Sequence, residues 1–203
     1  MPPMDDVAAG TGTLWTIGHS TREWTVFTAM LSDAGIQVLV DVRRFAGSRR
    51  NPQFSGETMA RTLPEAGFRY LPMPDLGGRR KADPDTRNTA WRNASFRGYA
   101  DYMETPPWQA ACGRLAELVA RERVAIMCAE ALWWQCHRGL IADRFKADGW
   151  QVMHLTAPGR SEPHPYTSAA RIVDGELRRL AGDAPHRTRP ERAAPVHLGR
   201  SHR

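Results

Sequence analysis

The stretch VAIMCAEALWWQCHRGLIADRF, Val124 to Phe145, decides how the chain is read. Val124–Met127 is a continuous apolar run of strand length, the pattern of a strand buried on both faces. It exits through Cys128, Ala129 and Glu130 and passes a short aromatic loop. A helix is expected to begin near Gln135, with Cys136 in its first turn, followed by His137 and Arg138. Two thiols, a carboxylate, an imidazole and a guanidinium therefore crowd one strand-to-helix turn, and that crowding marks a site.

The same alternation extends outward in both directions. Leu14–Ile17 is a short β-rich run ended by Gly18-His19-Ser20-Thr21. Ser20 or Thr21 is the expected N-cap of a helix whose Trp24, Phe27, Met30 and Leu31 share one face, with Gly35 as its left-handed stop. Val38–Val40 is apolar on both faces and leaves through Asp41 and Arg43. A polar loop, Ser48 to Phe54, leads to a helix opening at Ser55 or Gly56. Met59, Leu63 and Ala66 form its inner face, Pro64 kinks or shortens it, and Gly67 closes it. Phe68–Leu71 is a third strand, followed by a long loop from Pro72 to Asn93 with the length of a lid or a disordered segment. Phe96–Met103 reads as a short helix. Pro106-Pro107 opens a longer one with Trp108, Cys112, Leu115 and Val119 on its core stripe. After the central stretch, Val152–Leu155 is a fifth strand, and residues 171–177 form a small hairpin around Asp174-Gly175.

Strand and helix in alternation predict a single α/β domain. Its sheet is mostly parallel, with about five strands and helices on both faces, over residues 13–180. Residues 1–12 read as a flexible N-terminus. Residues 181–203, rich in Arg, Pro and His, read as a disordered basic tail. Net charge is +6 over 203 residues. The tail contributes five Arg against Asp183 and Glu191, so the folded part is less basic than the whole. This balance suits an anionic small molecule or nucleic acid as partner. No apolar run approaches the ~20 residues of a membrane span. No secretory signal opens the chain, so a cytoplasmic location without membrane contact is expected. With 3 cysteines in such a chain, a disulfide scaffold is excluded. No cofactor and no oligomeric state follow from the residues.

In parallel sheets, ligands bind beyond the carboxyl ends of the strands. His19, Asp41 and Arg43, the glycine-arginine loop, Cys128 and Glu130, and His154 all leave strands at that edge. A thiol in a helix's first turn is favoured as thiolate by free amides and the dipole. Leu140, one turn on, turns Cys136 towards the sheet. These residues support three readings. In the first, a cysteine-dependent enzyme uses Cys136 or Cys128 as nucleophile or redox centre, with His137 or His19 as acid/base. Glu130 and Asp41 orient the reacting groups, and Ser20, Asp41, Arg43, Asn51 and Arg138 bind an anionic, phosphorylated or nucleotide-like substrate. In the second, a nucleic-acid-binding module uses Arg49, Arg50, Arg79, Arg80 and the tail, with Trp133 or Trp134 stacking on bases. In the third, a Cys/His metal domain draws on distant His19, His137 or His154, because C-x7-C lies outside the tight zinc spacings. No residue is assigned as a metal ligand. Cys128 and Cys136 also fit as buried packing, and Cys112 fits its core stripe. Asp41 and Arg43 fit equally as a buried ion pair.

The segments TIGHSTR (Thr16–Arg22), LVDVRRFAGSRRNPQF (Leu39–Phe54), LGGRR (Leu76–Arg80), GYADYM (Gly98–Met103), MCAEALWWQCHRGLIAD (Met127–Asp143) and VMHL (Val152–Leu155) resemble a bacterial and archaeal family called domain of unknown function 488. The resemblance runs from about Leu14 to Val173. It implies a signature at Gly18, His19, Ser20, Asp41, Arg43, Asn51, Pro52, Cys128, Glu130, Cys136, His137 and Arg138. It implies no activity.

Overall fold

Alternate residues of the central strands feed two separate cores. Val38, Val40, Val124, Ile126 and Val152 point to one side of the sheet, and Leu39, Ala125, Met127 and Leu155 point to the other. This is the period-2 consequence of fully buried parallel strands. The computed structural model describes residues 12–173 and 176–178. Its elements are β1 (Thr13–Gly18), α1 (Trp24–Asp33), β2 (Val38–Asp41), α2 (Gly56–Glu65), β3 (Arg69–Pro72), α3 (Ala94–Met103), α4 (Pro106–Val119), β4 (Val124–Cys128), α5 (Arg138–Ala147), β5 (Gln151–Ala157), β6 (Arg160–Pro163), β7 (Arg171–Val173) and β8 (Glu176–Arg178). The sheet order is β3-β2-β4-β1-β5-β6, parallel except for β6. Helices α1 and α2 cover one face, and α3, α4 and α5 cover the other.

That order puts the site where the chain diverges. β1 and β2 lead to helices on one face, whereas β4, which lies between them, leads to α5 on the other. Neighbouring strands whose continuations part to opposite faces open a crevice at their carboxyl ends. Gly18 pairs with Cys128 and Asp41 with Met127, so the three exits are level. The ladder continues past the strands: His19 N–H donates to the Cys128 carbonyl at 3.0 Å and Val42 N–H to the Met127 carbonyl at 3.0 Å.

Local chemistry explains most boundaries. Ser55 caps α2 by accepting from Thr58 N–H, and Gly35 and Gly67 close α1 and α2 at positive φ. The stripe Trp108, Cys112, Leu115 and Val119 is buried as its spacing predicts. The β7–β8 hairpin pairs as expected.

Several expectations are corrected. Neither Ser20 nor Thr21 caps α1. Ser20 sits at φ 45°, Arg22 N–H closes a turn onto the His19 carbonyl, and the helix starts only after Glu23. Ala66 is exposed past the end of α2. The sheet has a sixth strand, β6, joined to β5 through Pro158-Gly159. The segment Arg160–Pro163 is exposed throughout, so no apolar alternation announced it. Pro163 at its end suits an edge strand. The loop from Pro72 to Asn93 is anchored by a buried Leu76 and by Asn88, which donates to Asp101 and Glu104. The expectations for residues 1–11 and 181–203 lie outside the described residues.

Two glycines separate packing from propensity. A Cβ on Gly18 would stand 1.9 Å from the Glu130 carbonyl oxygen, whereas one on Gly113 in α4 meets nothing within 4 Å. Gly18→Ala is expected to lower unfolding free energy by about 3 kcal/mol or more. Gly113→Ala is expected to raise it by about 0.5–1 kcal/mol. Urea titrations check both, and a loss under about 1 kcal/mol at Gly18 would mean the loop after β4 can simply move aside.

Candidate functional site

Asp41, at the end of β2, is buried and accepts both Nε–H and Nη2–H of Arg43, at 2.8 and 2.6 Å. Tyr70 adds its hydroxyl to Oδ2 at 2.7 Å. Arg43 spends its other donors on the Phe54 carbonyl at 2.8 Å, His19 Nε2 at 3.2 Å and Met59 Sδ at 3.7 Å. A guanidinium has five N–H donors, and here all five have internal partners. Arg43 and Asp41 therefore form a closed ion pair that braces the loop after β2. The expected anion-binding role has no donor left to serve it.

His19 belongs to the same brace. Its Nδ1–H donates to the Ser20 carbonyl at 2.9 Å, Nε2 accepts from Arg43, and the ring stacks on Phe54 at 4.4 Å. Burial first, then the Arg43 charge, lowers its pKa to about 4, despite the Ser20 hydrogen bond and Asp41. A neutral imidazole with both nitrogens occupied is not placed for acid/base work. Ser20 contributes a backbone bond to Ala129, and Asn51 caps the short turn at Pro52–Phe54. Neither lines the cavity described below.

The thiols do meet. The helix begins later than expected. Trp133–Gln135 forms a 3-10 turn, Cys136 is extended, His137 caps α5, and Arg138 is its first residue. Cys136 N–H is bonded to the Trp133 carbonyl, so it offers no free amide. Its side chain nevertheless points to the core beside Leu140 and Cys128, as the spacing requires. His137 Nε2 lies 2.9 Å from the Val42 carbonyl, which can only accept, so Nε2 carries the hydrogen. Nδ1 faces both sulfurs, 3.6 Å from Cys136 and 3.8 Å from Cys128. It either receives a thiol proton or, when protonated, donates to a thiolate.

The two sulfurs share their protons unequally. Burial opposes ionisation of Cys136, but a hydrogen bond from Cys128 and the charges of His137 and Arg138 outweigh it, so the thiol is held well below its ordinary range. Cys128, hydrogen-bonded to that sulfur and buried, is pushed well above its own. Cys136 is thus the sulfur of the pair favoured as thiolate, with the S–H of Cys128 directed at it. Cys112, buried elsewhere in the core, is pushed up to about 12 by desolvation.

Arg138 is 1% exposed and donates to the Glu130 and Ala131 carbonyls at 2.6 and 3.4 Å and to Thr16 Oγ1 at 3.4 Å, while its Nε has no partner. Among the described residues no carboxylate pairs with it. A hydrogen-bonded chain runs on from Thr16. Thr16 lies 2.6 Å from His154 Nδ1, His154 Nε2 lies 2.9 Å from His164 Nδ1, and His164 Nε2 lies 3.0 Å from Asp143 Oδ1. With both rings neutral, every hydrogen points towards Asp143, which also accepts from Thr167. His154 was expected at the rim. It lies instead inside the sheet under Trp133, stacked at 4.6 Å, and burial, His164 and Arg138 lower its pKa to about 2.

A cavity of about 200 Å³ opens beside the sulfurs. Cys128, Cys136, His137 and the exposed side chain of Glu130 form its floor and wall, Phe96 and Tyr99 its apolar side, and Arg44, Phe45 and Arg79 its rim. It is smaller than the ~300–1,000 Å³ of drug-sized pockets, so it takes a small group or one end of a larger ligand. Residues that sequence reasoning missed are Thr16, Asp143 and His164, the Val42 carbonyl and Tyr70. Asp143 had a signal: it is an acid set between the apolar run Leu140-Ile141-Ala142 and Phe145. His164 had none.

A profile of the family described as "Domain of unknown function DUF488" matches residues 23–145. That span holds both thiols, His137, Arg138 and Asp143 and leaves out β1, His19, His154 and His164, so it is shorter than the resemblance read from the motifs. No curated protein and no solved structure matches the chain.

Two outcomes follow for stability. His19 binds a proton near pH 6.5 when unfolded but only at about 4 when folded. Between those values the unfolded state holds more protons, so stability falls as pH falls, by on the order of 3 kcal/mol from this group. Urea unfolding at pH 7, 5.5 and 4 measures it, and a flat profile would refute a neutral His19. Asp143→Asn keeps the acceptor oxygen facing His164 and Thr167 N–H, removes the charge, and puts an NH2 donor where the second oxygen accepted the Thr167 hydroxyl. It is expected to cost about 1–3 kcal/mol, and no loss would show that the chain carries no compensation for Arg138.

Proposed function

The chain belongs to this family, and on that premise we propose that its cavity is the active site of a thiol-dependent enzyme whose substrate presents an anionic group at the rim. One observation carries the reading: Cys136, Cys128 and the Nδ1 of His137 converge in the wall of a cavity, with the imidazole's other nitrogen pinned to a backbone carbonyl. A nucleophilic cysteine needs a stabilised thiolate and a base held in one tautomer, and this trio supplies both.

In this reading Cys136 Sγ gives its electron pair to the electrophilic atom of the substrate. The bond from that atom to its leaving group breaks with its pair, and His137 Nδ1–H protonates the departing group. Water, deprotonated by Nδ1, then releases the product and restores the thiolate. Cys128 acts as the S–H donor that steadies the sulfur between turnovers. Arg44 and Arg79 take the anion, replacing Arg43 and Arg138, whose donors are committed internally. Asp41 and His19 hold the loop rather than touch substrate. Glu130 faces the cavity and sets which end of a polar substrate enters first. The nucleic-acid reading keeps less support, since Arg80 lies over the Tyr102 ring at 3.5 Å and donates to the Gly77 carbonyl.

Alkylation with iodoacetamide, followed by peptide mapping across pH, tests the proposal. Cys136 is expected to react first, with a midpoint below the ordinary thiol value of about 8.5. Cys112 is expected to stay unlabelled in the folded protein. Cys128→Ala is expected to raise the Cys136 midpoint by about one unit or more. Labelling of Cys136 no faster than Cys112 at neutral pH would end the thiol reading.

A further inference from the structure

We propose that Cys128, Cys136 and His137 also bind one divalent transition-metal ion of zinc's class, with the fourth coordination position opening into the cavity. The inference uses the same side chains as the proposed thiol chemistry but does not depend on that chemistry occurring.

The donor atoms are already spaced for it. Zinc lies about 2.3 Å from thiolate sulfur and about 2.0–2.1 Å from imidazole nitrogen. At a tetrahedral angle those bonds place sulfur and nitrogen about 3.6 Å apart. His137 Nδ1 lies 3.6 and 3.8 Å from the two sulfurs, and all three donor atoms lie within 4.8 Å of one another. A single ion can therefore reach all three with little side-chain movement. Two cysteines and a histidine with an open fourth position make a donor set that selects borderline and soft ions over magnesium or calcium.

The surroundings are those of a metal ligand shell. A ligating histidine almost always donates its other ring N–H to a carbonyl or carboxylate, which fixes the ring and the tautomer. Val42 provides that acceptor at 2.9 Å. Tyr99 packs edge-on against the ring at 5.0 Å and keeps water from its far side. Gly78 covers the same ring, and a Cβ there would stand 2.8 Å from Nδ1. A side chain there would collide with the ring face and displace the imidazole, so glycine at this position keeps Nδ1 aimed at the sulfurs. No further His, Cys, Asp or Glu joins the cluster among the described residues, so the site is three-coordinate from protein and open to the cavity.

Binding replaces any thiol protons with the metal and occupies one lone pair on each sulfur and the one on Nδ1. The loaded sulfurs are therefore weaker nucleophiles and alkylate more slowly. Metal occupancy becomes a control on the nucleophile, with the fourth position left to water or an anion.

The full chain, stripped with a chelator, is titrated with Co²⁺ alone. One equivalent is expected to bind with sulfur-to-cobalt charge-transfer absorption and tetrahedral visible bands, and Zn²⁺ is expected to displace it. Cys128→Ser and His137→Gln, each checked for folding by circular dichroism, are expected to weaken binding about a hundredfold or more. On wild-type protein, Zn²⁺ is expected to slow alkylation of Cys136 in proportion to occupancy. Absence of the charge-transfer band at excess cobalt overturns the proposal. So does cobalt binding that shows no sulfur band and survives in Cys128→Ser, which is the signature of histidines elsewhere in the chain. Cys136 alkylation in metal-free protein reads the thiol proposal separately, so either can fail alone.

Discussion

Arg138 holds the site together. It is a guanidinium buried to 1% exposure, joined to two loop carbonyls and one hydroxyl, with one nitrogen left unpartnered. A buried cation is costly unless something answers its charge. By gripping the Glu130 and Ala131 carbonyls it draws the segment between Cys128 and Cys136 tightly over the end of β1. That closure requires the bare Cα of Gly18, and it brings the two sulfurs, eight residues apart, to the same nitrogen of one imidazole. The loop conformation, the glycine and the thiol pair are thus one solution to the problem of placing this charge.

Two answers to the charge are visible, at different ranges. One is the chain of hydrogens from Thr16 through His154 and His164 to Asp143. It joins the guanidinium to a carboxylate five residues further along α5 without direct contact. The other is the sulfur of Cys136. Opposite charges ~4 Å apart interact by about 4 kcal/mol at the effective dielectric typical of proteins, several times the ~1 kcal/mol of bulk water. That scale is enough to move a thiol's ionisation by more than one unit. Arg43 shows the contrast. It lies at the same rim but is neutralised by Asp41 in a bidentate pair, so it contributes shape more than potential. Among the described residues, Arg138 is the buried arginine whose charge lowers both thiols.

The sequence carried the parts of this that depend on local pattern. The apolar run Val124–Met127, the cap at Ser55 and the α4 stripe are short-range signals, and each formed as its chemistry dictates. The meeting of Gly18, Asp41 and Cys128 was also legible, because parallel strands fix which ends share an edge. The start of α5 was not. Trp133–Gln135 took up a 3-10 turn, and Arg138, rather than a capping side chain, settled where the helix begins. That the donors of His19 and Arg43 turn inward was not legible either, for a related reason. An ionisable residue at a strand end has the same sequence signature whether its donors face a ligand or a neighbour's carbonyl. Only the count of occupied donors separates the two, and that count is a tertiary fact. His164 sits on the exposed-edge side of β5 after a segment without periodicity, so its part in a buried chain has no local trace.

Charge bookkeeping relates the two occupancies argued for the cluster. Without metal, Cys136 is the sulfur favoured as thiolate and Cys128 the one favoured as thiol, so a single sulfur charge stands beside Arg138. With a divalent ion, two thiolates and the ion cancel, and Arg138 is left with no local counter-charge except through its relay to Asp143. The surplus then faces a cavity already rimmed by Arg44 and Arg79, where an anion in the fourth position would restore the balance. The loaded site thus presents the charge of Arg138 and the rim arginines to an anionic ligand, with no thiolate left to repel it. Glu130 is the group on the wall that opposes this. Its carboxylate is exposed, while its carbonyl is the one Arg138 holds. The same residue thus fixes the cation's position through its backbone and tempers the cation's reach through its side chain.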